Sequence, residues 1–368
     1  MIRINLSCVS AFWLVCYQVL ASSASSPTCL DQNGKSVDWW AMYKMPLLPG
    51  NDNDEYVAGY GYAYMDVNSK EWTIATKTYI TDENIALAYT LGQIYDASVD
   101  GEVGWVLYND EKPDGSTSSY RGHTKGAAAF DSKGGFFLDH SVPRWPPIQS
   151  DTYLYPENEA TYGQSFLCVS LDNTNMDIVM NQWAYTYPNW YSTYLPDSLS
   201  DVYEDLSTIV GGYHVKEEPW TSIATVQTLD GLSLQYITKY STWGEDFYED
   251  LVAPTLNVDL KTETWQDGSG KLPSYCSEAD GGTYDYTVLN AQYINLGSGI
   301  SFKETKDHSK FAVSMDESTP WVCIGDNNRS SGQEKRAGGS LCFQDASVWK
   351  AYNATITQVE SCSKEDDL

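Results

Sequence analysis

Arg121-Gly-His-Thr-Lys-Gly126, running on to Gly134-Gly-Phe-Phe-Leu-Asp-His-Ser-Val-Pro143, has a counterpart far along the chain. That counterpart is Asp307-His-Ser-Lys310, followed by Pro320-Trp-Val-Cys-Ile324. Each copy carries His-x-Lys, then an aspartate at the same offset (Asp131 and Asp316), then an apolar run. In an extended chain, residues two apart point to one face, so each His-x-Lys presents an imidazole and an ammonium together. A weak repeat present once in each half predicts two related domains facing each other across a groove.

That pairing suits phosphate chemistry. An ammonium stabilises charge on the non-bridging oxygens of a five-coordinate phosphorus. One imidazole can attack while the other protonates the departing oxygen. The candidate catalytic residues are therefore His123, Lys125, His308 and Lys310. The lysines supply the positive charge, so neither a metal nor a cofactor is expected, and four histidines in all make a zinc site a poor fit. A lone His-x-Lys means little: His214-Val-Lys216 shares the spacing but not the surrounding pattern, and reads as a surface loop. His140, with no lysine two residues on, reads as a supporting residue of the site or of the Pro-rich loop that follows it.

Composition pulls the other way. With 50 Asp plus Glu against 22 Lys plus Arg, the net charge is -28. A general nucleic-acid-binding face is normally basic, because phosphate neutralisation supplies much of the affinity. A local positive site in an acidic compartment, where carboxylates protonate, resolves the conflict. The acidity also motivates a rival: a secreted binding protein, catalytically weak or inactive, on an enzyme-like scaffold. Phospholipid or RNA hydrolysis would use the same phosphate chemistry.

Arg3, the apolar run from Leu6 to Leu20 and the small residues after it have the order of a secretory signal peptide over 1–24, cleaved near Ala21 or Ala24. No later stretch is long and apolar enough to span a bilayer. The remaining Cys29, Cys168, Cys276, Cys323, Cys342 and Cys362 form an even set suited to three disulfides, with fifteen pairings open. Asn328-Arg-Ser330 and Asn353-Ala-Thr355 are glycosylation acceptors where exposed. A secreted or lysosomal location follows.

The rest of the chain reads as β-rich with some helix. Strands are expected at Val37 to Met45, Tyr60 to Met65, Glu102 to Tyr108, Gly126 to Phe130, Gly135 to His140, Lys310 to Val313 and Pro320 to Ile324. A hairpin is expected from Trp220 to Ile237, turning at Asp230-Gly231. Helices are expected at Leu199 to Ile209 and, short and acidic, at Trp243 to Val252; Asn181 to Pro196 shows no clear period. The boundary between halves is set near 205, giving 25–205 and 206–368.

Further stretches strengthen one resemblance: Val37-Asp-Trp-Trp40, Tyr43-Lys-Met-Pro46, Leu251-Val-Ala-Pro254, Glu263-Thr-Trp-Gln-Asp-Gly-Ser-Gly270, Leu272-Pro273 and Gly325-Asp-Asn-Asn-Arg329. With the two His-x-Lys segments they resemble the deoxyribonuclease II family, acid DNases related to the phospholipase D superfamily, over nearly all of the mature chain. The resemblance implies an α/β fold, a phospholipase D-like pseudo-dimer of two mixed-sheet sandwich domains. It also implies DNA as substrate, hydrolysed in acid without divalent cations to 3′-phosphate and 5′-hydroxyl ends. His123, Lys125, His308 and Lys310 are catalytic on this reading, with His140 supporting. It implies disulfides Cys29–Cys168, Cys276–Cys362 and Cys323–Cys342. The superfamily aspartate usually follows the lysine by five residues; Asp131 and Asp316 come one later and do not inherit its role. Asn328 is a candidate for orienting a phosphate or the second histidine, which excludes its glycosylation.

Overall fold

Alternation along the first strand sets the layering. In β1 (Trp39–Lys44) the side chains of Trp39, Ala41 and Tyr43 enter one apolar cluster, and those of Trp40 and Met42 enter another on the opposite face. A strand buried on both faces lies inside the molecule, which explains why its sequence is apolar without alternation from Trp39 to Tyr43. The computed structural model describes residues 25–48, 58–277 and 285–362. The proposed signal peptide lies outside the described residues.

The first sheet has eight strands. They are β1, β2 (Tyr62–Asp66), β3 (Ser69–Ile74), β4 (Gly104–Asn109), β5 (Lys125–Phe130), β6 (Gly134–His140), β7 (Gln164–Asp172) and β8 (Trp190–Tyr194), in the order β3-β2-β1-β7-β6-β5-β4-β8. All its pairings are antiparallel. The second sheet comprises β9 (Thr221–Gln227), β10 (Ser233–Lys239), β11 (Leu260–Glu263), β12 (Val288–Gly297), β13 (Ile300–Lys303), β14 (Phe311–Ser314), β15 (Trp321–Gly325), β16 (Gly338–Gln344) and β17 (Ile356–Val359). Its order is β13-β12-β11-β14-β15-β16-β10-β9, with β17 against β12. The β11–β12 pair is parallel, so this sheet is the mixed one.

The central run β1-β7-β6-β5-β4 matches β10-β16-β15-β14-β11 strand for strand. After β7 comes the helix Asn173–Thr186, and after β16 the helix Ala346–Thr355; each is capped by an aspartate, Asp172 and Asp345. The two helices lie between the sheets, and their Trp183, Trp349 and Tyr352 join residues of both sheets in one core. The outer face of the first sheet packs the helix Ala86–Tyr95. That of the second packs the helical segment from Phe247 to Leu256. The architecture is α/β, two sheets with helices between and outside them.

Two helix expectations need correction. Leu199 to Ile209 is only a 3-10 turn at Asp197–Leu199 and a short helix at Leu206–Val210. The Ser- and Asp-rich stretch between them favours turns. The second helix starts late and runs past its expected stop. Asp246 Oδ1 accepts from the amides of Tyr248 and Glu249, and the wide turn Tyr248–Val252 leads into Ala253–Leu256. Pro254 has no N–H to return to the preceding turn, and a five-residue turn accommodates that.

Candidate active site

The two His-x-Lys segments enter β5 and β14, the matched inner strands of the two sheets. One cavity of about 180 Å³ is lined by His123, Lys125, Glu111, Ser141 and Pro143 from the first half, and by His308, Lys310, Trp265 and Asn328 from the second. The four candidate catalytic side chains therefore share one space. Ser141 and Asn328 occupy matching places, each beyond the end of a matched strand, β6 and β15.

Each histidine is fixed by the opposite half. The His123 amide donates to the Ala337 carbonyl at 2.8 Å, and its Nδ1 lies 2.8 Å from the Asp326 carbonyl oxygen. A carbonyl only accepts, so Nδ1 carries the proton and Nε2 keeps its lone pair. Gly122 permits the approach: a Cβ there would lie 1.9 Å from the Thr186 carbonyl oxygen. The His308 amide donates to the Gly163 carbonyl at 2.9 Å. Its ring stacks on Tyr162 (4.3 Å, 10°) and meets the edge-on Trp265 at 4.1 Å.

The lysines differ. Lys125 Nζ is 2.6 Å from Asp110, whose other oxygen binds Arg336 at 3.0 Å. Burial raises the Asp110 carboxyl, but Lys125, His123 and Arg336 outweigh that and hold it far below the usual range. Among the described residues Lys310 has no such carboxylate in salt-bridge contact; it donates to the His308 carbonyl at 2.6 Å. Burial, then the Lys125 charge, push it down to about 7. Burial and the neighbouring ammoniums also push both imidazoles down, His308 to about 2. An anion bound in the cavity would oppose these shifts and favour the charged forms of Lys310 and the imidazoles.

Behind the lysines, Asp139 and Asp326 form a buried carboxyl pair across the halves. Burial and mutual repulsion raise Asp139, and burial raises Asp326 to about 7. This pair was missed in the sequence, although aligning Phe-Phe-Leu-Asp139 with Val-Cys-Ile-Gly-Asp326 points to it. Asp110, Tyr162 and Trp265 were missed as well; no local pattern marks them. Arg329, beside Asn328, is fully buried between Asp246 and Glu249.

Other sequence candidates lie elsewhere. His140 faces away from the cavity, against Trp145 and Phe166, with Nδ1 accepting from the Val142 amide. Asp131 and Asp316 accept turn amides, at Lys133 and Ser318. His214 sits between Tyr187 and Tyr240. Asn328 is 9% exposed and its Oδ1 accepts from the Trp265 amide, whereas Asn353 lies half-buried in a helix and accepts from Lys261. The disulfides are Cys29–Cys168, Cys276–Cys362 and Cys323–Cys342.

The family model for Deoxyribonuclease II matches residues 28–362. This chain belongs to the deoxyribonuclease II family. Deoxyribonuclease-2-alpha of Rattus norvegicus is 36% identical over 343 residues, covering 92% of this chain and 95% of the rat protein. Deoxyribonuclease-2 of Caenorhabditis elegans is 36% identical over 90% of this chain and 93% of its own. Plancitoxin-1 of Acanthaster planci is 35% identical over 94% and 95%. Membership of the deoxyribonuclease II family makes the chain a hydrolase of the nuclease class. Among the described residues no helix is long and apolar enough to cross a membrane.

Proposed function

We propose that this chain is a secreted or lysosomal endodeoxyribonuclease, working in acid without a divalent cation, with His123 as nucleophile and His308 as general acid. One observation carries the reading: His123, Lys125, His308 and Lys310 line a single cavity. The halves are taken as 25–205 and 206–368. The first sheet draws on residues up to Tyr194 and the second on residues from Thr221.

Nε2 of His123 attacks phosphorus, and the bond from phosphorus to the 5′-oxygen breaks as His308 delivers its proton there. The ammoniums of Lys125 and Lys310 hold the non-bridging oxygens. Water then gives a proton back to His308 and attacks phosphorus. The phosphorus–nitrogen bond breaks, leaving a 3′-phosphate and a 5′-hydroxyl. His308 must be charged for the first step, yet its surroundings favour the neutral ring. The phosphodiester anion and an acidic medium both favour the charged ring, which gives acid dependence a physical cause. Asn328, buried and tied to the Trp265 amide, is assigned to the cavity wall rather than to a glycan; Asn353 remains the glycosylation candidate. His140 supports the Pro-rich loop through its aromatic contacts.

The test is a supercoiled-plasmid digest at about pH 5 with excess chelator. Nicked and linear products whose 3′ ends block polymerase until dephosphorylated are expected. Intact plasmid from folded protein would favour the binding-protein reading that the -28 net charge motivates.

A further inference from the structure

Two buried lysines outside the cavity occupy matching positions, the last residues of β1 and β10. Lys44 Nζ donates to three backbone carbonyls, of Glu159 (2.9 Å), Ala160 (2.6 Å) and Tyr162 (2.7 Å). Lys239 Nζ does the same with Glu245 (3.2 Å), Gln333 (2.9 Å) and Glu334 (2.8 Å). Both side chains are fully buried. Burying an ammonium is costly unless every N–H is satisfied, and three carbonyls satisfy all three.

What these lysines hold is the segment that fixes a histidine of the other half. The loop gathered by Lys44 in the first half presents the Tyr162 ring to His308 and the Gly163 carbonyl to the His308 amide. The loop gathered by Lys239 in the second half leads to Arg336, which binds Asp110, and to the Ala337 carbonyl, which accepts from the His123 amide. We propose that Lys44 and Lys239 are crossed positioning residues: Lys44 sets the ring of His308, and Lys239 sets the ring of His123. Each half thereby orients the imidazole that the other contributes. Without the ammonium, three carbonyl dipoles converge with no donor between them, and the loop relaxes away from the histidine.

The inference rests on the reading of those histidines as catalytic, so its test has a readout that needs no turnover. The chain has four histidines, whose ring signals can be assigned by NMR through single His→Gln variants. In the disulfide-bonded secreted chain, K44M is expected to shift the His308 ring signal and leave that of His123; K239M is expected to do the reverse. In both, kcat falls about ten- to a hundred-fold with KM within about twofold, the size of effect that a small misplacement of a reacting group produces. Unmoved signals, or both signals moving alike in each variant, would overturn the proposal. Crossed shifts with unchanged kcat would keep the positioning and instead remove the catalytic reading. Should K44M fail to fold, K44R keeps the charge but cannot set three N–H groups on the same three carbonyls. It should move the His308 signal alone, and an unmoved His308 in folded K44R would again overturn the proposal.

Discussion

At the residue scale, two imidazoles and the charges around them govern the proposed chemistry. H123A and H308A, each retaining the parent melting temperature, should lose about 10²-fold or more in kcat, the usual worth of a positioned proton-transfer or nucleophilic group. Full activity in either removes that residue's assigned role. Asp110 has a different job: it neutralises Lys125 where both are almost without solvent. D110N leaves a buried ammonium beside Arg336 and should cost about 3 kcal/mol in denaturant unfolding. In the K125M/D110N double variant that loss should be much smaller, whereas equal losses would mean that the pair does not act as a unit. The placing of His123, Lys125, His308 and Lys310 in one cavity was legible because the same His-x-Lys spacing occurs twice with apolar strands behind it. Asp110 and Tyr162 were not legible, because their partners lie 15 and 146 positions away in sequence and no local period connects them.

At the element scale, strands read well and helices poorly. β1, β5 and β6 lie within the expected stretches or a residue of them, and the β9–β10 hairpin turns where expected but ends two residues later, since aromatic runs and glycine turns are local signals. The helices Asn173–Thr186 and Ala346–Thr355 went unread. Their buried Met176, Val179 and Trp183, and Val348 and Tyr352, do fall at helical spacings, but each stripe is short and set among polar residues such as Asn173, Asn175, Asn181 and Asn353, so the period is weak. The disulfides give a prediction at this scale. Cys29–Cys168 closes a loop of 139 residues and Cys323–Cys342 one of 19. Loop entropy makes the first worth about 1.8 kcal/mol more, so the C29S/C168S variant should be less stable than C323S/C342S by about that amount in denaturant unfolding. The reverse order would show that the native geometry of the hairpin bridge, not the unfolded chain, governs its contribution.

At the scale of the whole molecule, the halves are joined by buried charge as well as by the shared aromatic core. Burial and mutual repulsion raise Asp139, and burial raises Asp326 to about 7. An unfolded aspartate holds its proton only below about 3.9. Between these limits the native state binds more protons than the unfolded one, so the pair's contribution is full below the unfolded value and is lost as pH rises toward neutrality. The margin in melting temperature of the parent over D139N should therefore shrink between about pH 5 and pH 7.5. A margin independent of pH would show that the two carboxyls do not share a proton. The matched strand order of the two sheets has a trace in the sequence, the repeated His-x-Lys with an apolar strand behind it. The crossing of the halves, each loop seated on the other's histidine, was not, because backbone carbonyls leave no trace in side-chain patterns.

On the proposed mechanism His123 and His308 serve one phosphate from opposite halves. A crystal structure with orthovanadate, which mimics five-coordinate phosphorus, tests it most directly. The expected result is a single vanadate in the cavity, with His123 Nε2 and a His308 ring nitrogen on opposite sides, each within about 3 Å, and both ammoniums on its oxygens. Vanadate held by one histidine alone, with the other ring turned to a different partner, would contradict it.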